Sequence, residues 1–309
     1  MVFLSIVVPC YNEEESVGLF QQEIQKTLPD CDYELIFIND GSNDNTLKNI
    51  KNLAKTASNI RYISFSRNFG KESAIYAGLI YSSGDLVCVM DVDLQHPPSL
   101  LPEMIEGIQN EGYDVAAAKR ISRKGEPKIK SFFSSLFYKV FNRISDVTLV
   151  EGATDYRVMT RQVVDSILQL KEYNRFSKGL FQWVGFDTKW IAYENIERVA
   201  GKTTWSFRGL VRYSIEGVIA FTTAPLSISI FLGGVFSIIA FAYMIFIITK
   251  YLIYSDPVAG FATTMCAILL LGGIQLLSIG ILGKYLEKNY VETKSRPIFI
   301  VKESNYDED

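Results

Sequence analysis

Asp85-Leu86-Val87-Cys88-Val89-Met90-Asp91-Val92-Asp93 is an apolar run that ends in two carboxylates. Its length and apolar content predict a buried strand. Similar short runs occur at 3–9, 33–39, 60–66 and 114–118. Helical patterns lie between them. Residues 13–28 place Val17, Phe20, Ile24 and Leu28 at helical spacing, and Pro29 ends the pattern. Further helices are expected at 44–57, 71–82 and 99–111. Strands alternating with helices predict an α/β domain whose mostly parallel sheet is covered on both faces. In such sheets ligands bind beyond the carboxyl ends of the strands. Three polar clusters follow the strands: Tyr11-Asn12-Glu13, Asp40-Gly41-Ser42 and Asp91-Val92-Asp93.

In an extended chain Asp91 and Asp93 point the same way. Two carboxylates there suit a hard divalent cation, Mg²⁺ or Mn²⁺, with positions left for substrate phosphates. Gln95 continues the same alternation, as a further ligand or the orienter of a bound water. Surface acid pairs are common, so the position at a strand end carries this reading. Asp40 is placed to accept hydrogen bonds from a nucleotide base or ribose; the alternative is a glycine-containing turn that caps the next helix. Glu13 and its neighbours also suit a helix N-terminus simply as acids.

The 309 residues are 48% hydrophobic and 21% charged, which excludes a chain that is mainly disordered. The net charge of −3 gives no bulk attraction for nucleic acid. Four cysteines without a C-x-x-C pair suggest neither a disulfide framework nor a zinc site, and fit a reducing cytoplasm. No signal peptide is expected. Residues 217–249 and 257–283 contain no Asp, Glu, Lys or Arg. A bilayer core takes about 20 apolar helical residues to cross, so spans are expected at about 225–249 and 261–283. Lys284, Lys288, Lys294 and Arg296 follow the second span. With two spans, the basic flanks place both termini in the cytoplasm. Residues 119–143 hold eight basic residues and a single acid, Glu126. The stripe Phe133, Leu136, Phe137, Val140, Phe141 and Ile144 then predicts an interfacial helix at about 128–145; its alternative is a surface helix packed on the sheet. The expected organisation is a cytoplasmic domain at 1–205, an amphipathic juxtamembrane segment at 206–224, a two-helix hairpin at 225–283 and a cytoplasmic tail at 284–309.

Pro9-Cys10-Tyr11-Asn12-Glu13-Glu14, Asp40-Gly41-Ser42, Ser66-Arg67-Asn68-Phe69-Gly70-Lys71 and Asp91-Val92-Asp93-Leu94-Gln95 resemble motifs of the family 2 inverting glycosyltransferases with a GT-A (Rossmann-like) fold. The closer likeness is to their polyprenyl-phosphate branch, the dolichol-phosphate mannose synthases and bactoprenol glucosyltransferases. Thr154-Asp155-Tyr156-Arg157, Arg175-Phe176-x-x-Gly179-Leu180 and Arg198-x-x-Gly201-Lys202-Thr203-Thr204-Trp205 extend it, and the two C-terminal spans match the bactoprenol subgroup.

The resemblance implies a role for each matching residue. Pro9, Tyr11, Glu13 and Asp40 would hold the base and ribose of a nucleotide-sugar, with Lys71 in a matching donor motif. Asp91, Asp93 and Gln95 would bind Mg²⁺ or Mn²⁺ on the diphosphate. Asp155 falls where the catalytic base is usually assigned. Arg120, Lys130 and Ser134 fall where relatives bind the acceptor phosphate, although Lys130 stands where Arg is common. Arg198 and Lys202 lie in a loop that closes over the donor. His96 replaces a frequent Asp and reads as a turn residue before Pro97-Pro98.

The implied reaction is inverting transfer of a sugar, with glucose from UDP-glucose favoured, to undecaprenyl (polyprenyl) phosphate on the cytoplasmic face of a bacterial-type plasma membrane. The product is a lipid-linked sugar of the kind used in cell-wall glycans. UDP-N-acetylglucosamine, UDP-galactose and GDP-mannose are alternative donors. A phosphate monoester is already mostly dianionic at neutral pH, so Asp155 is expected to orient the acceptor or balance charge as much as abstract a proton. The subgroup implies a homotetramer. The rivals are a processive polysaccharide synthase, whose Q-x-x-R-W motif Phe181-Gln182-Trp183-Val184 does not match, and a non-catalytic membrane scaffold, against which the intact acids argue.

Overall fold

Strand β1 (Leu4–Cys10) turns Leu4, Ile6 and Val8 into one apolar cluster and Val7 into another. Strand β2 (Tyr33–Asn39) divides Leu35 and Phe37 from Ile36 and Ile38 in the same way. Side chains alternate across a strand, so a sheet apolar on both faces must be covered on both. Helices α1 (Ser16–Thr27), α2 (Thr46–Thr56) and α4 (Leu101–Gln109) pack on the first face. Helices α3 (Lys71–Tyr81), α6 (Arg161–Gln169) and α7 (Ser177–Trp183) pack on the second. The computed structural model describes residues 2–121, 128–194, 207–254 and 260–306.

The other strands are β3 (Ile60–Phe65), β4 (Leu86–Val89), β5 (Val115–Arg120), β6 (Ala153–Thr160), β7 (Thr188–Tyr193) and β8 (Val301–Ser304). They form one sheet in the order β7-β5-β6-β4-β1-β2-β3-β8. The block β3-β2-β1-β4 is parallel throughout. Strand β6 enters antiparallel between β4 and β5, and β7 lies parallel to β5. The mostly parallel α/β expectation holds. Because β1 lies between β2 and β4, the loops after these three strands emerge side by side at their carboxyl ends. Helix α3 approaches β1 so closely that a Cβ on Gly78 would lie 2.0 Å from Val7 Cγ1.

Beyond the sheet, α5 (Lys128–Ile144) packs Phe137 and Phe141 against Phe176 and against Phe221 of α8 (Phe207–Phe221). Leu136 and Val140 of the same stripe stay exposed. Helices α9 (Ala224–Tyr254) and α10 (Phe261–Thr293) follow. They contain two segments long and apolar enough to cross a membrane, Ala224–Lys250 and Leu270–Thr293, with apolar side chains pointing outward along both. At about 1.5 Å per residue, the 33 residues of α10 outrun a hydrocarbon core of about 30 Å.

The expected tail from 284 onward is built into the fold. Helix α10 continues to Thr293, and β8 then pairs antiparallel with β3. Glu303 meets Lys51 at 2.5 Å, and Asn305 accepts a hydrogen bond from the Tyr62 backbone N–H at 2.6 Å. The charged sequence Val301-Lys302-Glu303-Ser304 hid this strand, as is common for edge strands.

Candidate active site

A cleft of about 430 Å³ opens at the carboxyl ends of β2, β1 and β4. Pro9, Tyr11, Glu13, Asp40, Lys71, Asp91 and Asp93 all line it. Seven of the residues singled out in the sequence therefore share one cavity, brought there by the strand order.

Asp40 is 2% exposed. Its Oδ1 accepts from the Phe69 backbone N–H at 2.6 Å and its Oδ2 from the Gly70 N–H at 2.9 Å. Burial pushes its carboxyl up to about 6, against the pull of these two N–H groups and of Arg67. Asp40 thus fixes the loop that leads into α3. Gly41 completes that junction: its φ is +65°, and a Cβ there would lie 2.4 Å from the Arg67 carbonyl carbon. Asn12, also at positive φ, donates its N–H to Ser42 Oγ at 3.0 Å and accepts from the Asn43 N–H at 2.9 Å. The loops after β1 and β2 are laced together by these bonds. Glu13 Oε2 accepts from Ser16 Oγ at 2.7 Å, so part of its role is at the start of α1.

Lys71 is the first residue of α3. Its Nζ lies 2.6 Å from Asp91 Oδ1 and 2.7 Å from Asp155 Oδ2. Burial opposes its charge, but the carboxylates of Asp155 and Asp91 outweigh this and raise Lys71 above its ordinary value. Burial likewise works against the Asp155 charge, yet Lys71, followed by Lys178 and Arg157, holds that carboxyl well below the usual range. One ammonium group therefore joins the acid after β4 to the acid on β6.

The donor set suits a hard cation, because Asp91 and Asp93 offer carboxylate oxygens at the edge of an open cleft. The Lys71 ammonium held by Asp91 shows that a positive charge is accommodated there. Among the described residues no group of three or more His, Cys, Asp and Glu side chains forms a metal cluster. The extended alternation assumed for Asp91, Asp93 and Gln95 is interrupted: β4 ends at Val89, Val92 and Asp93 lie in a turn, and Leu94 has φ +56°. The Gln95 backbone N–H donates to Asp93 Oδ1 at 3.1 Å, closing a turn. No extended strand carries Asp93 or Gln95 onto one face with Asp91; Asp91 and Asp93 meet as lining of the same cleft.

Arg120 ends β5 beside β6, where Lys119 pairs with Ala153, and its charge acts on Tyr193 near Thr154. Ser134 is partly buried on α5. The backbone of Lys130 belongs to α5, and its side chain lies outside the described parts. Arg198 and Lys202 lie outside the described residues.

Several supporting groups had no role in the sequence reading. Arg157 is 2% exposed, lies 3.7 Å from the Phe181 ring centre, and donates to the carbonyls of Thr154 at 2.8 Å and Asp155 at 3.3 Å. Burial pushes its guanidinium down to about 10, opposed by Asp155 and Glu72. Glu72 accepts hydrogen bonds from both the N–H and the hydroxyl of Ser177, and burial followed by Asp155 raises its carboxyl. The two-residue spacing of Asp155 and Arg157, which puts them on one side of β6, is the signal in the sequence that was not used. His96 lies in a bend before Pro97-Pro98, in keeping with the turn reading. It is buried, stacked on Tyr156 at 5.4 Å, with Nδ1 4.0 Å from Asp91 Oδ2.

The chain is 47% identical over 304 residues to the "Putative glycosyltransferase CsbB" of Bacillus subtilis, covering 98% of this chain and 92% of the relative. It is 40% identical over 301 residues to the "Prophage bactoprenol glucosyl transferase homolog" of Escherichia coli, covering 97% and 98%. A crystal structure of glucosyl-3-phosphoglycerate synthase from Mycobacterium tuberculosis, in complex with Mn²⁺, UDP and phosphoglyceric acid, aligns with 20% identity and a TM-score of 0.49, covering 71% of this chain and 76% of that one. The family model for "Glycosyl transferase family 2" matches residues 5–168. With a cleft at the strand ends and a family match over more than half its length, the chain belongs to glycosyl transferase family 2 and is a glycosyltransferase.

Proposed function

We propose that the chain transfers glucose, with inversion, from UDP-glucose to undecaprenyl or a similar polyprenyl phosphate at the cytoplasmic face of a bacterial plasma membrane. The observation that carries this reading is Lys71 held between Asp91 and Asp155 in a domain tied directly to two membrane-length helices. Full-length relatives named bactoprenol glucosyl transferase support the sugar and the lipid. The return of β8 to β3 supports a topology with the C-terminus and the catalytic domain on one side of the membrane.

Asp91 and Asp93 would hold Mg²⁺ or Mn²⁺, which would offset the negative charge of the departing diphosphate. Two protein carboxylates leave the remaining positions to substrate oxygens and water. Pro9, Tyr11, Glu13 and Asp40 line the part of the cleft assigned to the nucleotide, where Asp40 acts through the loop that it fixes. Asp155 is poorly suited to proton abstraction, because a carboxylate held so far down is a weak base. Its charge instead holds Lys71 and faces the acceptor, whose phosphate is already mostly dianionic near pH 7. Arg120, Lys130 and Ser134 are assigned to the acceptor phosphate, Arg198 and Lys202 to donor closure, and the exposed Leu136 and Val140 of α5 to the lipid surface. A homotetramer stays part of this reading.

A donor panel tests it. Full-length protein in nanodiscs, given undecaprenyl phosphate and Mg²⁺ or Mn²⁺, is expected to form a hexosyl lipid from UDP-glucose in preference to UDP-N-acetylglucosamine, UDP-galactose and GDP-mannose. Preferential use of another donor would overturn the assignment of glucose.

A further inference from the structure

The segment that follows α10 reaches back to the loop that carries Lys71. Phe299 stacks on Phe65, with ring centres 5.0 Å apart and planes 18° from parallel, and meets Tyr76 of α3 edge-on at 6.4 Å. The Ser66 backbone N–H donates to the Ile300 carbonyl at 3.0 Å. Phe65 in turn meets Phe69 edge-on at 5.7 Å. The Phe69 and Gly70 N–H groups are the two held by Asp40, and Lys71 is the next residue. Phe299 thus fills the angle between the end of β3 and the body of α3, on either side of the turn that sets the Lys71 ammonium. The pairing of β8 with β3 shifts register between Ser64 and Phe65, so ladder bonds alone do not fix this end of β3.

The same segment is anchored at its start. The Glu292 carboxylate near the end of α10 accepts from the backbone N–H groups of Tyr173 and Asn174 at 3.0 and 3.2 Å, and Lys288 donates to Asn174 Oδ1 at 2.8 Å. It is anchored again beyond Phe299 by β8 and by Asn305, which donates to the Ile60 carbonyl at 3.0 Å.

We propose that Phe299 is a positioning residue for catalysis: anchored between the membrane-length helix α10 and strand β8, it braces the 66–71 loop and so sets the Lys71 ammonium between Asp91 and Asp155. The proposal rests on the glycosyl-transfer reading of the cleft. Aromatic packing of this kind is stiff and directional, and a small displacement of a charged group in an active site is enough to slow turnover.

The test compares Phe299→Ala, Phe299→Tyr and Glu303→Gln in full-length protein in nanodiscs. Two quantities are read: glucosyl transfer at saturating UDP-glucose and lipid phosphate, and hydrogen–deuterium exchange of backbone amides. Phe299→Ala is expected to lower kcat by about tenfold to a hundredfold. The Phe69 and Gly70 amides should exchange at least about tenfold faster, while amides of β1 and β2 keep their rates. Phe299→Tyr keeps the ring and should restore both. Glu303→Gln removes only the pair with Lys51 and should stay within about twofold of wild type in kcat, as surface ion pairs contribute little. Unchanged kcat and unchanged exchange at Phe69 and Gly70 in Phe299→Ala would overturn the proposal. Exchange accelerated equally through β1 and β2 would also overturn it, because Phe299 would then serve only global stability. If the wild-type chain itself transfers no glucose, the exchange measurement still decides on the brace, so the two readings fail separately.

Discussion

Lys71 Nζ lies 2.7 Å from Asp155 Oδ2, which joins the start of α3, at the cleft wall, to β6. Asp91 Oδ1 lies 2.6 Å from the same ammonium, so one lysine charge is shared between two carboxylates. That charge restrains Asp155, whose carboxyl is held well below the usual range. A carboxyl lowered on folding adds stability above its unfolded value of about 3.9 and loses it as the pH falls through its lower folded value. Asp155 is therefore ionised throughout the working range.

Asp155→Asn removes the charge and keeps the shape. It is expected to cut kcat by about a hundredfold or more, as loss of a charge aimed at the reacting centre does. The Kd for UDP-glucose, measured by calorimetry, should change little. Because the acceptor supplies its own charge, activity of the variant should partly recover as the pH rises past about 6 and the lipid phosphate becomes dianionic. A variant equally dead at every pH would instead make Asp155 an essential base.

Asp91→Asn and Asp93→Asn are each expected to lower turnover by about a thousandfold while the domain stays folded by circular dichroism. EDTA should abolish wild-type activity, and added Mg²⁺ or Mn²⁺ should restore it. Full activity in EDTA would remove the metal from the reaction.

Asp40 supplies a pH signature on the donor side. Its carboxyl sits at about 6 because of burial. Since the folded state binds this proton more tightly than the unfolded chain, acidification adds stability from this group, which is lost again as the pH rises through about 6. The protonated acid no longer accepts equally from Phe69 and Gly70, so the loop before Lys71 loosens. Affinity for UDP-glucose, whose diphosphate does not titrate in this range, should weaken below about pH 6 in the wild type. Asp40→Asn should bind more weakly and show a flat profile. A wild-type Kd constant from pH 5 to 8, by calorimetry at fixed metal, would contradict this.

Membrane sidedness is open to chemical labelling. Lys302 is exposed on β8, and β8 pairs with a strand of the catalytic domain. In a background without native cysteines, a Lys302→Cys chain should react with an impermeant thiol reagent only after permeabilisation, and a Ser255→Cys chain in intact cells. The reverse pattern would invert the proposed topology.

Much of the fold was legible because apolar strands stand out against their polar loops. The runs before Asp40 and Asp91 marked two of the three strand ends that frame the cleft, and the run before Tyr11 marked the third. Strand β6 was not read as a strand, since Thr154-Asp155-Tyr156-Arg157 carries two charges; Asp155 is paired with Lys71, and the buried Arg157 lies over the Phe181 ring. Strand β8 was also hidden by its charges, as an exposed edge. Asp91, Asp93 and Gln95 were put on one side by extending strand alternation beyond Val89, where the strand ends and the backbone turns. The bond between Lys71 and Asp155 joins residues 84 apart in sequence. No local pattern encodes that distance, and it became visible only when β6 was found next to β4.

The most direct test of the central claim is to follow glucose from UDP-glucose into lipid. Full-length wild-type protein in nanodiscs with undecaprenyl phosphate and Mn²⁺ would be sampled over a single turnover, with UDP and hexosyl lipid quantified together and the anomeric centre read by NMR. The account predicts equal amounts of UDP and undecaprenyl-phosphate glucose, with the sugar inverted to the β-anomer and the same product formed about a hundredfold more slowly in Asp155→Asn. UDP release without a glucosylated lipid, or a product with the α configuration, would contradict it.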